Sequence, residues 1–251
     1  MNRLAQIQRP VIFAHRGASA LAPENTLASF QKALADGAQA IELDVKLTAD
    51  GEVIVLHDQT VNRTTNGQGD VAKLTLAELK QLDAGCRFSV EFAGEPIPTL
   101  DEVFSAFGKK LLINVEITNY ATPVDALPDR VAELVRRHDL QDWVIFSSFN
   151  ALNLIRLRRL LPQVPVGILA EQGASGRLAR RFFGRLVAPK MVHPYYSDVD
   201  QDFVIRQHAL GRRIHVWTVN DPQEMCRLFR LQVDGIFTDD PGRASQILEG
   251  L

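Results

Sequence analysis

Cysteine is nearly missing from the 251 residues. Cys86 and Cys226 are the two, neither belongs to a Cys-x-x-Cys pair, and a chain this long needs no staples, so both read as free thiols. A surplus of either charge is also missing. The 28 Lys plus Arg face 30 Asp plus Glu, for a net charge of -2, which leaves no global positive field to recruit nucleic acid or an anionic membrane. The ligand therefore belongs to a local site. No segment approaches the roughly 18 continuous apolar residues of a membrane span. The opening MNRLAQIQRPVIFAHRG lacks the apolar run and small-residue cleavage site of a secretory signal. The expectation is cytoplasmic residence without stable membrane insertion. No Gly-x-Gly-x-x-Gly turn marks a dinucleotide fold, and 16 Gly and 12 Pro without period exclude a collagen-like chain. The 46% apolar content excludes disorder.

What the chain does have is rhythm. Short apolar or alternating runs recur at 11–16, 40–48, 53–58, 111–118, 143–149, 164–171, 191–196, 213–219 and 235–240, and read as strands. Stretches of helical period separate most of them, such as Leu27, Phe30 and Leu34 before Gly37. Thr75 with Glu78, Thr99 with Glu102, and Asp221 with Glu224 have the spacing of a capping box. This alternation over about 250 residues predicts an α/β chain closed into a (β/α)8 TIM barrel, one catalytic domain covering 1–251. One interval breaks the rhythm. After the strand ending at His57, residues 59–100 carry Gly67, Gly69, Gly85 and Gly94 and one capped helix, and read as a small insertion over the barrel mouth.

Barrel enzymes assemble their sites at the C-terminal ends of strands, and polar residues crowd there. Alternation sends Ile41, Leu43, Val45 and Leu47 to one face and Glu42, Asp44 and Lys46 to the other, and likewise turns Asn114, Glu116 and Thr118 toward the axis. Three carboxylates, Glu42, Asp44 and Glu116, then converge from two strands. Buried together they repel, so the cluster calls for a cation, and an all-oxygen set suits Mg2+ or Ca2+, with Mn2+ as the alternative. His15 and His57 end two strands and can exchange protons beside that cation. Arg16 adds a donor fork suited to phosphate. The set points to hydrolysis of a phosphoester.

These residues stand in an ordered series: HRG at 15–17, APENT at 22–26, ELDVKLTADG at 42–51, VLHD at 55–58, RTTNGQG at 63–69, IPTLDEV at 97–103, NVEI at 114–117 and GIFTDDP at 235–241. From about residue 11 to 243 the chain closely resembles the glycerophosphodiester phosphodiesterases. The resemblance implies a barrel with a small insertion after His57, and hydrolysis of glycerophosphodiesters such as glycerophosphocholine or glycerophosphoethanolamine to sn-glycerol 3-phosphate and an alcohol. By position it implies Glu42, Asp44 and Glu116 as metal ligands, His15 and His57 as acid and base, Arg16 as phosphate binder and Trp217 as an aromatic wall for glycerol. The chain departs from the family at Thr118, where many members carry lysine. A neutral hydroxyl replaces a charge there, and Lys46, on the same face as Glu42 and Asp44, is the candidate to compensate.

Other residues are read more plainly. His138 and His208 lie late in helical stretches and read as structural, whereas His193 and His215 stay open between core and ligand contact. Glu171 stays open between a site role and a surface pair. Asn25 and Thr26 read as caps of the first helix, and Asp239 and Asp240 as caps of the last. Residues 173–190 carry Arg177, Arg180, Arg181, Arg185 and Lys190 without an acid. A solvated barrel helix is the ordinary reading of that stretch, and weak contact with lipid headgroups the alternative. Two rival functions are carried forward, a lysophospholipase D and an inactive phosphodiester-binding relative. A barrel isomerase or aldolase using the same metal ligands is the weaker alternative, without an obvious Schiff-base lysine. The oligomeric state is left open.

Overall fold

Alternation along AIELDVKL makes residues 40–47 a strand with two different faces, and the computed structural model shows what each face meets. It describes residues 2–174, 176 and 187–251. Nine strands form among them: β1 (Val11–Ala14), β2 (Ala40–Leu47), β3 (Val53–Val55), β4 (Leu112–Ile117), β5 (Val144–Ser148), β6 (Val166–Ala170), β7 (Met191–Pro194), β8 (Arg213–Val216) and β9 (Gly235–Thr238). All but β3 pair in parallel, in the order β1-β9-β8-β7-β6-β5-β4-β2, and β1 pairs again with β2, which closes an eight-stranded barrel. β3 pairs antiparallel to β2 outside the closed ring and stops at Val55, so His57 and Asp58 lie in the loop beyond it.

Helices α1 (Leu27–Ala35), α3 (Leu100–Phe107), α4 (Leu127–Arg137), α5 (Ala151–Leu160), α6 (Gln201–Ala209), α7 (Pro222–Arg230) and α8 (Pro241–Glu249) alternate with the strands, and α2 (Leu76–Leu79) is a single short turn in the segment after β3. Their starts are fixed by side chains that accept from backbone N–H groups the helix leaves unpaired. Thr75 with Glu78 and Thr99 with Glu102 form full capping boxes. Asp221 accepts from the amides of Gln223 and Glu224 without a reciprocal bond from Glu224.

Outward residues Ile41, Leu43, Val45, Ile113, Val115 and Ile117 join the large apolar layer between barrel and helices. Inward residues of the lower barrel, among them Val11, Phe13, Ala40, Leu112, Ile145, Met191 and Phe237, form a second core that Leu4 and Ile7 cap from below. A third, smaller cluster of Ile54, Leu56, Val61, Val71, Leu79, Ala84 and Ile97 underlies the segment after β3. The apolar plug fills the lower barrel, so a ligand meets only its upper end.

Candidate active site

β2 and β4 run side by side with Asp44 opposite Glu116, and pleating turns Glu42, Asp44 and Glu116 inward above the plug. One oxygen of each lies within 4.8 Å of the others. Burial first, then the charges of Asp44 and Glu116, raise the Glu42 carboxyl well above the usual carboxylate range. Burial and Asp44 raise Glu116 as well. Three crowded acids held this way fit a divalent cation, which would supply the opposing charge with oxygen ligands alone.

Neighbours aim these acids. Arg16 donates its backbone N–H to Glu42 Oε2 (3.0 Å), and its Nε lies 3.3 Å from Asp44 Oδ2 without hydrogen-bond alignment. Asn25 Nδ2 donates to the same Asp44 oxygen (2.9 Å), and Tyr120 donates its hydroxyl to Glu116 Oε1 (2.8 Å). Arg16 and Asn25 both hold positive φ, 56° and 58°, a conformation that costs a non-glycine residue free energy. The turn between them passes so close to α1 that a Cβ on Gly17, itself at φ +84°, would lie 2.3 Å from Ser29 Oγ. The strain thus sits on the two residues that touch Asp44. Asn25 is not the helix cap expected of it. Thr26 alone caps α1, in a box with Ser29.

His15 follows β1, and its Nδ1 lies 2.7 Å from Asp239 Oδ1, at the end of neighbouring β9. Ser19 Oγ (3.1 Å) and Asn220 Nδ2 (2.6 Å) also donate to Asp239. Burial pulls the Asp239 carboxyl upward, but the bond and charge of His15 leave it below its ordinary value. Asp239 therefore orients a histidine, and Asp240 alone caps α8. This corrects the expected pair of caps. His57 Nδ1 lies 2.7 Å from Asp58 Oδ1.

His15, Arg16, Glu42, Asp44, His57 and Glu116 line one cavity, completed by Asn114, Ser147, Phe149, Leu169, His193, Trp217, Thr218 and Phe237. The indole of Trp217 packs edge-to-face on Phe149 (5.5 Å, 88°) and donates Nε1–H to the His193 carbonyl (2.8 Å). The cavity thus combines a charged lining with an aromatic one. His193 and His215 are fully buried, with rings 5.3 Å apart and no hydrogen-bond partner among the described residues on any ring nitrogen. Burial lowers His193 to about 3 and also depresses His215, so both are neutral.

Lys46 and Thr118 stand apart. Lys46 Nζ donates to Thr118 O (2.8 Å) and Oγ1 (3.0 Å), and both residues line a second cavity of about 370 Å³ on the side of the post-β3 segment. His138 pairs with Asp101 and His208 with Asp234, away from the site. Glu171 is exposed and does not line the cavity. Most of the basic stretch 173–190 lies outside the described residues. No described helix is long and apolar enough to cross a membrane.

Two imidazoles each aligned by a carboxylate, an arginine and a three-acid cluster at the C-terminal mouth of a parallel barrel define the class: a hydrolase built to act on phosphoesters. Comparison with known proteins narrows the class. The glycerophosphoryl diester phosphodiesterase family profile matches residues 15–243, and the chain belongs to that family. It is 39% identical to a glycerophosphodiester phosphodiesterase of Caldanaerobacter subterraneus subsp. tengcongensis, over 93% of this chain and 95% of that one. It is 36% identical to a glycerophosphodiester phosphodiesterase of Bacillus altitudinis, over 95% and 98%. Among solved structures, an Oleispira antarctica phosphodiesterase in complex with the product sn-glycerol-3-phosphate superposes with a TM-score of 0.86 at 33% identity, covering 96% of this chain and 97% of that one.

Proposed function

We propose that the chain hydrolyses glycerophosphodiesters, with glycerophosphocholine and glycerophosphoethanolamine as representative substrates, to sn-glycerol 3-phosphate and the free alcohol. The observation that carries this reading is the single cavity in which both aligned histidines, Arg16 and the carboxylate cluster meet. Glu42, Asp44 and Glu116 would hold one divalent cation, Mg2+ or Ca2+, whose bound charge would offset that of the phosphate oxygens. Arg16 directs its guanidinium at the phosphate. One imidazole takes a proton from the nucleophile, either water itself or the neighbouring glycerol hydroxyl whose cyclic phosphate water then opens, and the other protonates the alkoxide as its bond to phosphorus breaks. Asp239 and Asp58 hold the Nδ1 atoms of His15 and His57, which leaves each Nε2 for proton exchange. Trp217, with Phe149, packs on the carbon face of glycerol and leaves the headgroup directed outward.

We assign Lys46 to a supporting place behind the acids, tied to Thr118, with no direct contact to phosphate. The unpaired thiols of Cys86 and Cys226 support cytoplasmic residence. The test is to strip the protein of metal and add Mg2+, Ca2+ or Mn2+ separately with glycerophosphocholine, glycerophosphoethanolamine or a lysophospholipid. Cation-dependent release of glycerol 3-phosphate, abolished in His57→Ala, is expected. Lysophosphatidic acid released from the lysophospholipid in preference would identify a lysophospholipase D. Phosphodiester binding without turnover under every cation would identify an inactive relative.

A further inference from the structure

Beyond the residues that line the cavity, one guanidinium ties two of its lining residues together. We propose that Arg63, in the segment after β3, is a positioning residue that sets His57 and Arg16 at once. The proposal rests on the phosphodiesterase reading above. Arg63 makes four charge-assisted bonds: Nη1 to Glu24 Oε2 (2.7 Å), Nη2 to Glu24 Oε1 (2.8 Å), Nε to Asp58 Oδ2 (2.7 Å) and Nη2 to Asp58 Oδ1 (3.0 Å). Each carboxylate is shared. Asp58 Oδ1 also meets His57 Nδ1 (2.7 Å), and Glu24 Oε1 also accepts from Arg16 Nη1 (2.9 Å). The series His57, Asp58, Arg63, Glu24, Arg16 is therefore unbroken. Its two ends line the cavity and its three middle members do not.

The geometry demands an arginine. A planar fork presents one pair of N–H groups along its Nη1/Nη2 edge and another along its Nε/Nη2 edge, so fixing one carboxylate dictates the direction of the other. An ammonium could neutralise both acids without orienting either. The hydrogen bond from Arg63 leads the causes that hold Asp58 well below the usual carboxylate range, which keeps it an anion for His57 to face. Glu24 matters differently. With Arg63 in place, its two oxygens divide between two guanidinium groups, and Arg16 keeps donors to offer phosphate. Without Arg63, Glu24 has Arg16 as its remaining partner in the series and draws it away from the cavity.

An ordinary surface ion pair would do none of this, because exposed pairs contribute little and are screened by salt. The test compares Arg63→Ala, Arg63→Lys, Asp58→Asn and Glu24→Gln in the full-length, cation-loaded enzyme with glycerophosphocholine. Arg63→Ala is expected to lose kcat by about 10- to 100-fold, the range for residues that orient a catalytic group, and to raise KM. Asp58→Asn reproduces mainly the kcat loss and Glu24→Gln mainly the KM rise. Arg63→Lys recovers KM and leaves kcat low. The Arg63 side chain is 49% exposed, so millimolar guanidinium added to Arg63→Ala is expected to restore part of kcat.

Two further readouts do not depend on turnover. In histidine-labelled protein, Arg63→Ala should move the ring signals of His57 and leave those of His15 in place, and it should weaken binding of inorganic phosphate. Unchanged kinetics in Arg63→Ala, or a loss shared equally by kcat and KM in all four variants with no guanidinium recovery, would overturn the proposal. If the wild type releases no glycerol 3-phosphate, the phosphodiesterase reading falls. The ring signals and phosphate affinity then decide the role of Arg63 by themselves, unmoved signals overturning it. Should Arg63→Ala fail to fold, the kcat-against-KM split between Asp58→Asn and Glu24→Gln decides.

Discussion

His15 and His57 share a cavity but are held in opposite ways. His15 continues β1 and Asp239 continues β9, two neighbouring strands whose register pairs Ala14 with Thr238, so the backbone ladder brings the two side chains together. His57 lies in a loop past β3, and its partner Asp58 is the next residue, steadied by Arg63. The exposures follow the same division, 20% for the His15 side chain and 42% for His57. One half of the site inherits its geometry from the barrel. The other half depends on ion pairs supplied by the segment after β3, where removing a single charge has more room to act.

The largest effect should erase the distinction. His15→Ala and His57→Ala each remove a group to which we assign proton transfer, and each is expected to lower kcat by about 10²- to 10⁴-fold with little change in Tm. Steady-state assays on glycerophosphocholine measure it. A variant retaining a tenth or more of the activity would remove that histidine from the acid–base pair. The next effect separates the halves. Asp239→Asn keeps the shape and loses the charge facing His15, and a kcat loss of about 10- to 100-fold is expected. A guanidinium additive has no site to fill on this side. Recovery by guanidinium in Asp239→Asn would show that the two supports are not distinct after all.

The carboxylate cluster belongs wholly to the barrel half, and its response to pH follows from burial. Burial and mutual charge raise Glu42 and Glu116 in the folded protein, Glu116 to about 8. A raised acid contributes stability that is fully present below its unfolded value and is lost as pH rises through its folded value. Metal-free protein should therefore lose stability from the ordinary carboxylate range up to about pH 8. A cation that neutralises the acids should restore it, so the gain in Tm from Mg2+ or Ca2+ is expected to be larger at pH 8 than at pH 5. Each kcal/mol corresponds to about 2–4 °C for a chain of this size. Differential scanning calorimetry checks this, and an equal gain at both pH values would mean that the acids are already compensated from within.

The same division describes what could be read from the residues alone. Strand alternation has period two, so the inward set Glu42, Asp44 and Glu116 and the outward set Ile41, Leu43, Val45, Ile113 and Val115 follow from spacing. Thr75 with Glu78 and Thr99 with Glu102 mark helix starts because capping is local. Asp239 was legible in principle, since it stands two residues after inward Phe237, but Pro241 made a cap the simpler reading of both acids. Asn25 offered no signal, because the positive φ that carries it to Asp44 is imposed by the turn against Ser29. Arg63 meets Glu24 from 39 positions away, a pairing that no spacing rule encodes. Tyr120 is the intermediate case, four residues past Glu116 but no longer in the strand.

The smallest effect concerns Lys46, which has the inward parity of Asp44 and yet stays out of the cavity. Its ammonium is spent on Thr118 O and Oγ1, while Thr118 Oγ1 donates to Val45 O (2.8 Å), so the two residues lock the upper end of β2 to the end of β4. Burial pulls the Lys46 pKa below its ordinary value even though Asp44, Glu116 and Asp58 oppose that pull. A charge placed this way steadies the acids from behind. Lys46→Ala is therefore expected to cost about 1–2 kcal/mol of stability through the lost bonds and to leave KM within about threefold, since about 1.4 kcal/mol of direct contact would be needed for a tenfold change. Urea denaturation and KM for glycerophosphocholine measure the two separately. A tenfold rise in KM at unchanged stability would put the Lys46 ammonium on the phosphate, in place of the lysine that many family members carry where this chain has Thr118.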